Sequence, residues 1–321
     1  MKRNVIPDLQ KVDWSDTSRQ SEYVNSVVSA LNGLGKKLDY DYVCAVSGSA
    51  FRTSFAVEGW NHGNYHVANA PITIEHTFRM LGYGVSQHDS GDYEIDRKLI
   101  TDSIDRGVPV ITTKGVVNHS DTCLISGYDD GGRVLLGWNP FMYIGDEHPE
   151  PPDETGYFRK TDWHNGDFAD CKGQILIIEG KREKPGKEAI LAETLKLISR
   201  LISEASFVPG QHNGLAAHKA FADALLNYTW DDNFHVYLNV MCNYKQYLDR
   251  KYAVKFFRDN GRDDLAGCYE EVAALCAKLG EIIPQDFSAG DMFGDKEKLR
   301  PYCDVLLQIR DAEERVLPLL G

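Results

Sequence analysis

The two thiols in the first half of the chain are the most obvious candidate nucleophiles. Cys44 stands in the apolar run YVCAVSG, and Cys123 alternates with apolar residues in TCLISGY. A free cysteine in such surroundings is commonly a small buried residue, and burial raises the pKa of its thiol, so little reactive thiolate forms. We therefore predict that both thiols are core residues rather than nucleophiles.

Histidine and aspartate side chains supply candidate metal ligands. They are His62, His66, His119, Asp121, His148 and His164. None of them forms an HExxH motif or a close His/Cys pair. His62 and His66 would share a face only in a helix, and the Gly-Asn pair between them favours a loop. The sequence therefore predicts neither a metal centre nor a cofactor.

Two polar segments have the composition of a ligand-binding surface. The small residues of SGSAFR, which begins near Ser47, let backbone N–H groups approach a ligand. Arg52 in that segment would pair with a carboxylate or serve as a buried structural group. His212, in QHNG before a predicted helix, would meet an anion or only cap the helix. The sequence lacks GxxxxGK[ST], GxGxxG and Gly-x-Ser-x-Gly motifs, which argues against kinases, dehydrogenases and elbow hydrolases.

Helical and strand patterns alternate in the first half of the chain. The periodicity predicts helices over 21–34, 71–80 and 96–106, and strands over 108–113, 122–128, 133–138 and 174–180. The DDGG sequence between the strands 122–128 and 133–138 tolerates the positive φ angles of a hairpin turn. Residues 145–172 are rich in Pro, Gly, Asp and His and are predicted to form a long surface loop.

The second half of the chain changes character after the charged linker 181–188. Amphipathic patterns there predict helices over 191–205, 214–226, 234–257, 265–279 and 298–319. The sequence therefore predicts two domains: an α+β domain over 1–182 and an all-α helical bundle over 183–321.

Composition argues against several classes of protein. The chain of 321 residues has a formal net charge of −13, and duplex binding needs clustered Lys and Arg. No apolar stretch reaches the ~18–20 residues that span a bilayer, and the N-terminus lacks the apolar run of a signal peptide. An odd number of scattered cysteines is typical of reduced thiols in a cytosolic protein. We predict a cytoplasmic protein that binds neither nucleic acid nor membrane.

The order of several motifs carries a family resemblance. YDYVCAVSGSAFR, GWNHGNYH, a helix ending in LGYG, and the hairpin CLISGYDDGGRVLLGWNPF follow one another over roughly residues 10–180. This order resembles the N-terminal domain of the butirosin biosynthesis protein H family, which is related to the cysteine peptidases that trim bacteriocin leaders. The resemblance implies a papain-like fold, with a helix packed on an antiparallel sheet. It continues into HNGLAAHKAFADALL, which looks like the helical region of related bacterial proteins.

Papain-like chemistry requires a thiolate at a helix N-terminus, a His on a strand and an Asn or Asp that orients the imidazole. At the nucleophile position the resemblance places Ser21 instead of a cysteine, and Ser at a helix start is also a common N-cap. At the base position it places His119, with Asp121 nearer by count. The orienting residue would be Asn139 in GWNPF, although Asn-Pro also makes an ordinary turn.

The predicted ligand-binding positions combine the polar segments with this resemblance. They are Ser47, Arg52, Trp60, Asp121 and His212.

Three functions follow as alternatives. Because the nucleophile position holds no cysteine, the first is a catalytically degenerate papain-like protein that binds a small molecule or peptide in its cleft. The second is an acyl- or aminoacyl-transferring enzyme of the butirosin type, which takes its acyl group from an acyl carrier protein. The third is a homo-oligomeric scaffold joined through the helical tail. A serine hydroxyl is far harder to deprotonate than a thiol, which favours the first.

Overall fold

The computed structural model describes most of the chain. The described residues are 2–13, 16, 19–57, 71–113, 116–117, 122–143, 150–164, 174–228, 233–284, 292–293 and 295–321. The chain divides into two compact units. Unit 1 comprises Met1–Val43 and Pro71–Pro185, and unit 2 comprises Cys44–Ala70 and Gly186–Gly321. Unit 2 thus takes a segment from the first half of the chain, whereas the predicted domains, 1–182 and 183–321, are each continuous.

The described strands range from two to eight residues in length. In chain order they are β1 (Asn4–Val5), β2 (Ser54–Ala56), β3 (Tyr83–Asp89), β4 (Val110–Thr112), β5 (Cys123–Asp129), β6 (Val134–Trp138), β7 (Phe158–Lys160), β8 (Gln174–Lys181) and β9 (Gln211–Asn213).

The α-helices concentrate in the second half of the chain. They are α1 (Glu22–Gly33), α2 (Tyr40–Val46), α3 (Pro71–Leu81), α4 (Tyr93–Asp105), α5 (Lys187–Ser203), α6 (Leu215–Asn227), α7 (Asn233–Leu248), α8 (Arg250–Asp259), α9 (Asp263–Ile282) and α10 (Lys296–Glu314).

Unit 1 is built on a seven-stranded sheet in the order β3-β8-β4-β5-β6-β7, with β1 paired to β5. Each recorded pairing is antiparallel. The central strands are almost continuously apolar and buried, as expected when both faces of a strand are covered. Helices α1 and α4 both pack on β4 and β5. The prediction of helices and an antiparallel sheet is thus confirmed at the level of a mixed α/β architecture.

The β5–β6 hairpin forms where the sequence predicts it. Asp130, Gly131 and Gly132 in the turn all have positive φ angles, of 45°, 65° and 95°. Gly137 faces the partner strand so closely that a Cβ atom there would lie 2.0 Å from the carbonyl oxygen of Leu124. Glycine is therefore required at this position for the two strands to approach.

The prediction of a surface loop over 145–172 agrees with the irregular, largely exposed residues 150–156 but is wrong over residues 157–163. Residues 158–160 form β7, which pairs with β6. Trp163 is fully buried and donates its indole N–H to the Gly132 carbonyl at 3.1 Å. The Pro- and Gly-rich composition hid this strand because β7 is only three residues long.

Unit 2 is mainly helical but is not purely so, contrary to the prediction of an all-α bundle. Strand β9 pairs with β2, in the register Phe55 opposite His212. The predicted helix 234–257 is divided into α7 and α8 at Asp249, which is buried. The remaining helices pack pairwise, chiefly α6 with α10, α8 with α9, and α9 with α10.

Candidate functional site

Ser21 occupies the N-cap position of α1. Its hydroxyl oxygen accepts a hydrogen bond from the backbone N–H of Val24 at 3.3 Å, and its own N–H donates to the Tyr40 hydroxyl at 3.1 Å. Apolar residues then recur at helical spacing and are buried, which explains why α1 begins here. These contacts are those of a structural cap.

Asn139 lies at the end of β6, beside the start of β5. Its side chain is fully buried, and its amide nitrogen donates to the Thr122 carbonyl at 3.2 Å and contacts Cys123 Sγ at 3.2 Å. His119 and Asp121, just before β5 in sequence, lie outside the described residues. Whether Ser21, His119 and Asn139 converge therefore stays a prediction.

Ser47 and Arg52, two of the predicted ligand-binding residues, are buried. The Ser47 hydroxyl donates to the Cys44 carbonyl at 3.1 Å and contacts the Ser49 hydroxyl at 2.9 Å. Burial lowers the pKa of the Arg52 guanidinium to about 9. Because both side chains are at most 2% exposed, their positions favour a structural role. Trp60 lies outside the described residues. Cys44 and Cys123 are buried, as predicted.

Among the predicted ligand-binding residues that the structure describes, His212 lines a cleft. The cleft has a volume of about 450 Å³ and lies between the β2–β9 pair and α6, so we call it the β2–α6 cleft. Its strand wall consists of Phe55, Ala56, Val57 and His212. Phe55 is anchored by stacking on Phe221, with ring centroids 5.4 Å apart, while Val57 is 58% exposed. An exposed Val beside a buried Phe makes this wall an apolar surface open to solvent.

The helix wall of the β2–α6 cleft is a stripe of alanines. Ala216, Ala220 and Ala224 line the cleft, and residues four apart lie on one face of a helix. Their small side chains leave the space that the cleft occupies. Lys219 and Asp223 flank the stripe and form an exposed ion pair with each other. The cleft is thus lined mostly by apolar side chains, with His212 and the Lys219–Asp223 ion pair as its polar groups.

Gly214 sets the turn that joins the two walls. It adopts φ 54° and ψ −131° immediately before α6. A Cβ atom there would lie 2.1 Å from the carbonyl oxygen of Ile202. Only glycine fits this backbone conformation, so the direction in which α6 leaves β9 is fixed by this residue.

A buried charged cluster connects to α6. Glu313 binds Arg250 through one carboxylate oxygen at 2.8 Å and His218 through the other at 2.9 Å. Burial by itself raises the pKa of the Glu313 carboxyl. Arg250 and His218 lower it by more than burial raises it, so the pKa of Glu313 lies below its usual value. Burial by itself lowers the pKa of the Arg250 guanidinium. The negative charge of Glu313 raises it by more, so the pKa of Arg250 lies above its usual value. The cluster therefore carries a carboxylate and a guanidinium that are both ionised.

A second cleft, in unit 1, is more polar. It has a volume of about 520 Å³ and is lined in part by Lys2, Arg97 and Arg133. Lys2 is paired with Asp105, Arg97 with Glu94 and the Gly131 carbonyl, and Arg133 more loosely with Asp130 at 3.9 Å. These basic groups are already engaged by neighbouring acidic or carbonyl oxygens, so this cleft is the weaker candidate.

His164 is the candidate metal ligand that the structure describes. Within the described ranges, no group of three or more His, Cys, Asp and Glu side chains is placed to hold a metal ion. His164 instead binds Asp96 at 2.9 Å, and His62, His66 and His148 lie outside those ranges. None of the described helices is long and apolar enough to cross a membrane.

The alanine stripe and the Lys219–Asp223 pair were missed by the sequence analysis. Their signal was present, since Ala216, Ala220 and Ala224 recur every four residues in a predicted helix. What the sequence did not show is that β2 lies opposite this face.

The chain matches no protein-family model and none of the curated proteins. The resemblance to the butirosin biosynthesis protein H family therefore stays a hypothesis.

Proposed function

We propose that this chain is a non-catalytic, papain-like binding protein that holds a small molecule in the β2–α6 cleft. The observation that carries the proposal is the cleft itself, a space of about 450 Å³ lined mostly by apolar side chains together with His212, Lys219 and Asp223. Small-molecule sites typically occupy ~300–1,000 Å³ and combine apolar walls with a few polar groups. This volume suits a small molecule better than a peptide.

The cleft chemistry indicates an amphipathic ligand. Phe55, Val57 and the alanine stripe offer an apolar surface for a ring or short hydrocarbon body. The imidazole of His212 and the Lys219–Asp223 pair offer both donors and acceptors to a polar end. A compact aryl carboxylate or aryl amine has this combination of groups.

Two observations support the non-catalytic part of the proposal. Ser21, at the position where the family resemblance requires a thiolate, has its hydroxyl engaged as the cap of α1. The side-chain amide nitrogen of Asn139 already donates to the Thr122 carbonyl and contacts Cys123 Sγ. The papain-like part is supported by α1, which packs on β4 and β5 of the antiparallel sheet.

The transferase alternative has one observation in its favour. Asn139 stands next to the start of β5, the strand that follows His119 in sequence. An acyltransferase would still need an activated nucleophile, and a capping serine does not supply one. We therefore rank this alternative second.

The test is a fluorine NMR screen of fluorinated aryl carboxylates and aryl amines. The wild type is compared with Ala220→Trp, which fills the cleft from its helix wall. The matched control is Ala277→Trp, at an exposed alanine of α9. We expect fragments that bind the wild type and Ala277→Trp and are lost in Ala220→Trp. If Ala220→Trp binds the same fragments as the wild type, the β2–α6 cleft is not the site and the proposal fails.

A further inference from the structure

The side chain of Gln246 takes the place of a neighbouring strand along β2. Its Oε1 accepts a hydrogen bond from the backbone N–H of Ser54 at 2.8 Å, and its Nε2 donates to the Ser54 carbonyl at 3.0 Å. In an antiparallel pair, alternate residues direct their backbone groups to opposite edges. Val57 N–H donates to the Gly210 carbonyl at 3.0 Å on the β9 side. Gln246 therefore binds the edge of β2 that faces away from β9.

Arg250 holds the two residues that precede Ser54. Its Nη1 donates to the Arg52 carbonyl at 3.0 Å, and its Nη2 donates to the Thr53 hydroxyl at 2.6 Å. Nη1 also donates to the Gln246 carbonyl at 3.0 Å, which ties the two clamping residues together. Arg52, Thr53 and Ser54, the three consecutive residues that lead into the strand wall, are thus held from the junction of α7 and α8.

The same guanidinium is linked to the helix wall. Arg250 Nε binds Glu313, and the other oxygen of Glu313 binds His218 Nε2. His218 belongs to α6, the helix that carries the alanine stripe. Its Nδ1 contacts the Tyr247 hydroxyl at 3.1 Å. A continuous chain of buried hydrogen bonds therefore runs from β2 to α6.

We infer that Gln246 and Arg250 are positioning residues of the β2–α6 cleft, and that they set the distance between its two walls. The inference rests on the proposed function. Strand β2 has three residues and pairs only with the three-residue β9 in the described part of the chain, and such a short two-stranded pair is barely stable alone. If the strand wall is already ordered in the free protein, ligand binding does not have to order it. The entropic cost of binding is then smaller and the affinity is higher.

The test compares Gln246→Met with a matched core truncation on the same helix. Gln246→Met keeps the length of the side chain and removes both hydrogen bonds to Ser54. Val240→Ala, also fully buried in α7, removes packing without touching β2's backbone hydrogen bonds. Thr53→Val is the milder variant, because it removes only one acceptor of Arg250. Two quantities are measured: affinity for the tightest fluorinated aryl fragment, and the amide hydrogen exchange rate of Val57.

We expect Gln246→Met to weaken fragment binding about tenfold and to accelerate exchange at Val57. Thr53→Val should weaken binding by a smaller factor, and Val240→Ala should leave it within about twofold of the wild type. Unchanged affinity in Gln246→Met or, should that variant not fold, in Thr53→Val would overturn the inference. A wild type that binds no fragment would instead defeat the proposed function. The Val57 exchange rate would then still show whether the clamp holds the strand, so the two failures are distinguishable.

Discussion

Arg250 donates its Nε hydrogen to Glu313 at 2.8 Å, and neither side chain has any exposure to solvent. Two ionised groups are stable there because each has further partners. Arg250 also binds Arg52, Thr53 and Gln246, and Glu313 also binds His218. The pair joins α8 to α10 and, through those partners, to both walls of the β2–α6 cleft.

Replacing only one member of the Arg250–Glu313 pair should lower the free energy of unfolding more than replacing both members. Glu313→Gln leaves the buried Arg250 charge without its carboxylate, and we expect a loss of about 3–5 kcal/mol in the free energy of unfolding. The double variant Arg250→Met/Glu313→Leu removes both charges and should be clearly more stable than Glu313→Gln. Urea unfolding of the two variants and the wild type measures this. A double variant less stable than Glu313→Gln would show that the hydrogen bonds from Arg250 to Arg52, Thr53 and Gln246 contribute more than charge pairing.

Acid should destabilise the protein through the same carboxylate. The pKa of Glu313 is lower in the folded chain than its usual value, mainly because Arg250 and His218 outweigh the effect of burial. Its contribution to stability is therefore fully present above the unfolded pKa of about 4.3 and is lost as the pH falls through the folded value. Urea unfolding at a series of pH values from 7 to 3 measures it.

The double variant Arg250→Met/Glu313→Leu is the control for this pH dependence. Asp105 and Asp129 also have lowered pKa values, owing to Lys2 and Arg159 respectively, and they remain in the variant. We expect the variant to lose stability less steeply below the unfolded pKa of a glutamate. Identical slopes in the two proteins would show that Glu313 is not stabilised as a carboxylate.

Gly137→Ala should destabilise the β5–β6 hairpin. The added methyl group would meet the Leu124 carbonyl oxygen at 2.0 Å and the Ile125 Cα at 3.1 Å, and these backbone atoms of β5 cannot rotate out of its way. We expect a loss of about 1–3 kcal/mol or more, the range for overpacking. Gly267→Ala is the control, because this exposed glycine of α9 has nothing within 4 Å. There we expect a gain of about 0.5–1 kcal/mol from helix propensity. Thermal unfolding that finds Gly137→Ala neutral would contradict the observed strand approach.

Ser21 should behave as a cap and not as a nucleophile. Ser21→Ala should lower the free energy of unfolding by about 0.5–2 kcal/mol, and Ser21→Asp should retain most of it because aspartate also caps helices. A fluorophosphonate probe, which labels activated serines, should leave the wild type unmodified at Ser21. Labelling of Ser21 that disappears in Ser21→Ala would instead support the transferase alternative.

Two elements of unit 1, the β5–β6 hairpin and α1, could be predicted from local sequence patterns. The β5–β6 hairpin follows from DDGG between two apolar runs, and α1 follows from its apolar spacing and from the glycines near its end. Strand β3 was not predicted, because the polar residues of YGVSQHD break the apolar pattern and its pairing with β8 is distant in sequence. The helix break at Asp249 was missed because the apolar period continues through it.

The site was only partly predictable, for the same physical reason. His212 could be singled out as a polar residue before a helix, yet the cleft exists only because β2 pairs with β9 across a long stretch of chain. Arg250 stands in RKYAVKFFRD and Glu313 in EER, and charged residues in such amphipathic helices usually face solvent. Their complete burial depends on tertiary partners that no local pattern contains.

The most direct test of the account is an alanine-methyl NMR titration of the wild type with the fluorinated aryl fragments. We predict that a bound fragment shifts the methyl signals of Ala216, Ala220 and Ala224 together, while the methyl signal of Ala277 on α9 stays unchanged. Fragments that bind but leave these three methyl signals in place, or no binding at all, would contradict the claim that the β2–α6 cleft is a small-molecule site.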